Sequence, residues 1–212
     1  VADGFGGPLS GAWIAKSSCE FVSRFLEKEA GDHEATLPFV LRSYFSTAGN
    51  ILFNALIYAN RNVLGFNKNK SVHERGGASV IAGFMEGSRL ALAHIGCCEA
   101  WLFRQGLSPP LVVPRSYARL FDPFCLEPLE EKAVPLMALG LNEDLQPEIM
   151  EYQLQALDWL LLHTDGLTAQ VREELLKIQN LKLPPSESSN AVLSLLKNSQ
   201  FKDNVAVTVV IF

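Results

Sequence analysis

Apolar residues recur at helical spacing in two stretches near the start of the chain, then at strand-like spacing in several short runs after residue 77. From Ser10 onward, Trp13, Ile14, Phe21, Val22, Phe25 and Leu26 define one face of a helix, and Gly31-Asp32 ends it. Thr36 reads as the cap of a second helix, with Pro38 in its first turn. Its buried stripe is Val40, Leu41, Tyr44, Ile51, Leu52, Leu56 and Val63, and it ends near Gly65. Residues 67–77 are polar and glycine-bearing and read as a loop.

Short β-prone runs follow at residues 78–84, 89–95 and 100–103, punctuated by Gly87-Ser88, Gly96 and Gln105-Gly106. They predict an antiparallel meander. Residues 107–146 carry six prolines and predict a surface excursion with one short helix. Residues 154–164 return to strand around Trp159-Leu160-Leu161-Leu162. Helices are expected over 168–178 and 186–197, and a closing strand over 205–212. At the start, Val1-Ala2 reads as the tail of a strand and residues 3–7 as a turn. This order of elements predicts an α+β fold with helices covering antiparallel sheets.

Composition narrows the class. At 212 residues, with 48% hydrophobic and 19% charged residues, the chain is expected to pack as one domain over 1–212. A net charge of -5 argues against a nucleic-acid partner, which needs a basic face. No apolar run reaches the roughly 18 residues of a membrane span. Cys19, Cys97, Cys98 and Cys125 form no CxxC pair, so a reduced, cytoplasmic protein is expected. A monomer is the expected state. His33, His73, His94 and His163 lack zinc-site spacing and read as structural.

The candidate chemistry lies in three aspartates. Asp3-Gly4, Asp165-Gly166 and Asp203-Asn204 each place a carboxylate beside a turn-forming residue at the edge of a strand. Singly, such pairs are ordinary turn residues. Together, Asp3, Asp165 and Asp203 make an oxygen-only set suited to magnesium or manganese, and Gly4 lets the chain offer a carbonyl as a further ligand. Two such ions can acidify a shared water and stabilise in-line displacement at phosphorus. Gly4-Phe5-Gly6 lacks the third glycine of a dinucleotide fingerprint, and no lysine follows in P-loop position. Ser79 is not in a nucleophile elbow.

The motifs resemble, in order, those of the metal-dependent Ser/Thr protein phosphatases of type 2C, the PPM family. Val1 through Gly7 is similar to VADGMGG, and Gly76-Gly77-Ala78-Ser79 to the element before a core strand. Ala93 through Leu102 is similar to ANVGDSRAYL, and Leu139-Gly140 to a short Leu-Gly element. Asp158 through Leu167 is similar to D-x-LLLCSDGL, and Asp203 through Val207 to DNITV. The resemblance spans nearly the whole chain. It implies a four-layer α-β-β-α sandwich of two antiparallel sheets flanked by helix pairs. It implies that Asp3 bridges two Mn2+ or Mg2+ ions, Gly4 binds one through its carbonyl, and Asp165 and Asp203 hold the other. The implied reaction is hydrolysis of phosphoserine or phosphothreonine in a phosphoprotein by a metal-bridged water.

The departures are specific. The family's phosphate-gripping arginine and an acidic residue near its metals precede the Asp-Gly segment, so first strands before Val1 are expected. Cys97 stands where the family has an aspartate for an accessory metal, and Glu99 where it has arginine. These changes motivate an alternative, a weak or inactive pseudophosphatase serving as a binding module. Arg115 and Arg119 lie in the segment corresponding to a flap beside the family's active site and read as solvated. His163 reads as a packed strand histidine and Cys97-Cys98 as buried thiols.

Overall fold

A computed structural model describes residues 1–7, 10–29, 41–122, 134–201 and 203–212. The backbone divides into two compact units. The first comprises residues 1–98 and 114–153, and the second residues 99–113 and 154–212.

In the first unit, strands β1 (Ala2–Phe5), β2 (Gly77–Glu86), β3 (Arg89–Ile95) and β6 (Glu148–Gln153) form an antiparallel sheet in the order β1-β2-β3-β6. Helices α1 (Ser10–Glu29) and α2 (Thr47–Asn67) pack on each other and on this sheet. Ile14, Val22 and Phe25 of α1 meet Leu52, Leu56, Ala59 and Val63 of α2 over Ala78, Val80, Ala91 and Ala93 of the strands. The helical periodicity of those positions supplies the buried face.

Three expectations change here. Asp3 and Gly4 lie inside β1, paired with Ser79 and Ala78, and the turn comes later, at Gly6 with φ +119°. The second helix starts at Thr47, capped by Ser46, whose Oγ accepts from Gly49 N–H at 3.0 Å. Asn50 explains the late start. Its side chain bonds the main chain of Arg42, Phe45 and Ser46, holding those residues in a non-helical turn and leaving Leu41 and Tyr44 exposed. Thr36, Pro38 and Val40 lie outside the described residues.

The third change concerns the proline-rich excursion. Leu139 is fully buried and exchanges main-chain hydrogen bonds with Ala78 at 2.9 and 3.1 Å. Asn60 and Asn67 hold Gly140 from α2: Gly140 N–H donates to Asn60 Oδ1, and Asn67 Nδ2 donates to Gly140 O, both at 2.8 Å. Amide side chains thus do what an apolar pattern would not reveal. The short helix expected in this stretch is α3 (Tyr117–Phe121).

In the second unit, β4 (Glu99–Phe103), β5 (Pro110–Val112), β7 (Trp159–His163) and β8 (Val207–Ile211) form an antiparallel sheet in the order β5-β4-β7-β8. Helices α4 (Ala169–Asn180) and α5 (Pro185–Asn198) pack together, and their Val171, Leu175 and Val192 join Phe103, Trp159 and Leu161 in a core. Residues 154–164 are not one continuous strand. A turn at Gln155–Asp158, with Leu157 at φ +71°, separates β6 from β7. Both antiparallel sheets and their helix pairs match the α+β class expected.

Candidate metal centre

Asp3 enters the first unit half-buried on an edge strand, opposite Ser79 in the β1–β2 register. Gly4 follows, and its role is steric before anything else. A Cβ there would stand 2.0 Å from the carbonyl oxygen of Gly11 in α1, so only glycine admits the helix. Ser79 Oγ accepts from Cys97 N–H at 3.0 Å, which ties β2 to the segment following β3.

In the second unit the Asp165 and Asp203 motifs are brought together. After β7, Thr164 N–H donates to Ala206 O and Ala206 N–H donates back to Thr164 Oγ1, each at 3.1 Å. Gly166 packs directly beneath: a Cβ there would be 2.7 Å from Asn204 O. Asp203 Oδ1 accepts from Asn204 N–H at 2.7 Å. Burial of the Asp165 carboxyl raises its pKa above the usual carboxylate range although the residue rim is open to solvent, and the charge of Asp203 raises it further. Two acceptor-only groups that repel each other at the head of a rigid turn are relieved by a cation with oxygen preference, so the pair fits Mn2+ or Mg2+. Among the described residues, no three His, Cys, Asp or Glu side chains complete a metal cluster by themselves.

His163 is fully buried, as its strand position predicted. Its Nδ1 lies 2.7 Å from Thr164 O, and burial lowers its pKa. Cys97 and Cys98 are buried, and neither they nor Cys19 form a disulfide; Cys125 and His33 lie outside the described residues. His73 is exposed.

Sequence reasoning missed two clusters. Arg115, read as solvated, ion-pairs with Glu148 of β6, and the buried His94 sits across the β3–β6 ladder with Nδ1 3.7 Å from Glu148 Oε2. These three residues, with Gln146 and Met137, line a cavity of about 140 Å³ in the first unit. Glu99 gathers Trp101, His163 and Arg172 in the second. The only sequence signal for the latter was a glutamate in the place of the family's arginine.

No family model matches the sequence. A curated relative, the serine/threonine protein phosphatase PstP of Mycobacterium tuberculosis, is 26% identical over 216 aligned positions, covering 99% of this chain. The chain spans about two fifths of that relative's length (39%). The crystal structure of the M. tuberculosis serine/threonine phosphatase PstP/Ppp superposes with a TM-score of 0.70 at 23% identity, covering 98% of this chain and 84% of that one. The PstP catalytic domain in complex with two manganese ions gives 0.70 at 20% identity, over the same shares of the two chains. The serine/threonine phosphatase of S. agalactiae gives 0.75 at 16% identity, covering 100% of this chain and 86% of that one. In sequence and in fold, the chain is thus similar to the serine/threonine protein phosphatases of type 2C that its motifs resemble.

Proposed function

We propose that the chain is a metal-dependent phosphoprotein phosphatase acting on phosphoserine and phosphothreonine. One observation carries the reading: the Thr164–Ala206 hydrogen bonds and the close approach of Gly166 to Asn204 bring the Asp165 and Asp203 motifs, distant in sequence, side by side, where the Asp203 charge helps to raise the Asp165 pKa. Asp3 and Gly4, by their likeness to the VADGMGG motif, are the further ligands of this reading, and residues 1–212 are read as one catalytic domain. The cofactors are two Mn2+ or Mg2+ ions. Manganese is the ion bound by the PstP catalytic domain, and magnesium shares its oxygen preference. When bound, the ions supply acidified water and charge stabilisation at phosphorus.

The chain's own contribution is positional. Gly166 and the Thr164–Ala206 hydrogen bonds fix the backbone that carries the two aspartates, and the Asn204 N–H holds Asp203 Oδ1, before any ligand arrives. Phosphorylated protein is the substrate, with neither nucleic acid nor membrane as partner, and a monomer in the cytoplasm is the working form. The acidic net charge supports the first exclusion. Among the described residues, no helix is long and apolar enough to cross a membrane.

The test is hydrolysis of p-nitrophenyl phosphate and a phosphothreonine peptide with manganese, with magnesium and with chelator, alongside Asp165→Asn. Metal-dependent turnover that disappears in the variant is expected. A folded protein that remains inactive with excess metal would instead favour the pseudophosphatase reading.

A further inference from the structure

Glu99 opens β4 at the place where the type 2C motif has arginine, and it is not a solvated surface charge. Its Oε2 accepts from Trp101 Nε1 at 2.9 Å. The same oxygen stands 3.9 Å from His163 Nε2, on the residue directly opposite in the β4–β7 register, and 4.0 Å from Arg172 Nη1. The Arg172 guanidinium lies over the Trp101 ring, 3.8 Å from its centroid. His163 Nδ1 faces a carbonyl acceptor, so it carries the proton, and Nε2 presents a lone pair. That Nε2 is buried and has no hydrogen-bond partner among the described residues.

An indole and a guanidinium thus hold a carboxylate in one place, against a buried histidine whose strand ends at the Asp165 turn. In the strand register Glu99 stands opposite His163, two residues before Asp165, and its charge helps to raise the Asp165 pKa. In sequence, the segment that has lost an aspartate at Cys97 has gained a carboxylate two residues later.

We propose that Glu99 is a positioning residue that does not ligate metal but strengthens divalent-cation binding at the Asp165–Asp203 pair through its fixed negative charge. Arg172 opposes it and sets the net field. The inference rests on the metal-centre reading above. Groups hydrogen-bonded to metal ligands commonly change affinity by about 10- to 100-fold, and a fixed charge acting through space without that bond belongs at the low end of this range. Through-space charge, unlike packing, weakens with added salt.

The experiment is Mn2+ titration by calorimetry on the full chain, on Glu99→Gln, on Arg172→Met and on Asp165→Asn. Measurements are made at low salt and at about 0.5 M salt, with circular dichroism and thermal melts as fold controls. Glutamine preserves the acceptor for Trp101, so the strand should remain intact. Expected results are binding to the parent, none to Asp165→Asn, about tenfold weaker binding to Glu99→Gln at low salt, and tighter binding to Arg172→Met. The gap between parent and Glu99→Gln should narrow at high salt. If the parent binds Mn2+ and Glu99→Gln binds it equally well, the proposal fails while the metal centre stands. Weakening in both Glu99→Gln and Arg172→Met, or a gap insensitive to salt, would make the cluster structural and overturn the charge role. A parent that binds no Mn2+ removes the metal centre itself.

Discussion

Gly4 and Gly11 meet backbone to backbone, so that a Cβ on Gly11 would stand 2.7 Å from the Gly4 carbonyl oxygen. This contact lets the start of α1 rest on β1 directly beside Asp3. Alanine at 11 should help the helix by about 1 kcal/mol through propensity alone. The clash works the other way and should cost about 1–3 kcal/mol. The net effect expected for Gly11→Ala is a lower melting temperature together with weaker Mn2+ binding. A higher melting temperature would show that the two backbones do not touch.

A second prediction concerns acid stability. Asp158 is buried at the turn before β7 and accepts from Arg104 Nε at 2.8 Å, from Arg104 Nη2, and from Gln155 N–H at 2.7 Å. Burial alone would raise its pKa, but these donors hold it below the usual carboxylate value. A depressed folded pKa stabilises the protein above the unfolded value near pH 4, and that stability is lost as pH falls through the folded value. Arg104→Met leaves burial without the main donor and should cost about 3 kcal/mol at pH 7, the low end for a broken buried pair because Arg104 is partly exposed. Denaturant melts of parent and variant should converge as pH drops below 4. Parallel curves across the range would mean that Asp158 is not the group linked to acid unfolding.

The elements most legible in the sequence were those whose burial follows a single period. α1, β3, β7 and the closing helices were readable because apolar side chains alone decide them. β6 was missed because Glu148, Glu151 and Gln153 break its apolar alternation, although its pairing with β3 is regular. The three aspartates were legible as motifs. The tie between Thr164 and Ala206 that brings two of them together was not, since it consists of main-chain and hydroxyl hydrogen bonds with no periodicity.

The same distinction yields a third prediction within the proline-rich stretch. Leu139 and Leu141 are two residues apart and chemically identical, yet Leu139 is fully buried and Leu141 is 47% exposed. Leu139→Ala removes side-chain volume from the first unit's core and should cost about 3 kcal/mol in denaturant melts. Leu141→Ala should cost less than about 0.5 kcal/mol. Equal effects would return the stretch to a surface excursion.

The last prediction concerns the carboxylate pair without any catalytic readout. The turn between β7 and α4 is tied to the segment that carries Asp203 through Thr164 and Ala206, and the like charges of Asp165 and Asp203 there oppose each other when no metal is bound. A cation bound there stabilises only the folded state, by about 2.7 kcal/mol at a hundredfold excess over its dissociation constant. Adding Mn2+ should therefore raise the melting temperature of the parent. Asp203→Asn removes a ligand and the repulsion together. Its metal-free melting temperature should equal or exceed that of the parent, while its response to Mn2+ should largely disappear. A metal-free variant that melts well below the parent would show instead that the Asp203 carboxylate stabilises the turn, for example through its bond from Asn204 N–H, more than it strains it.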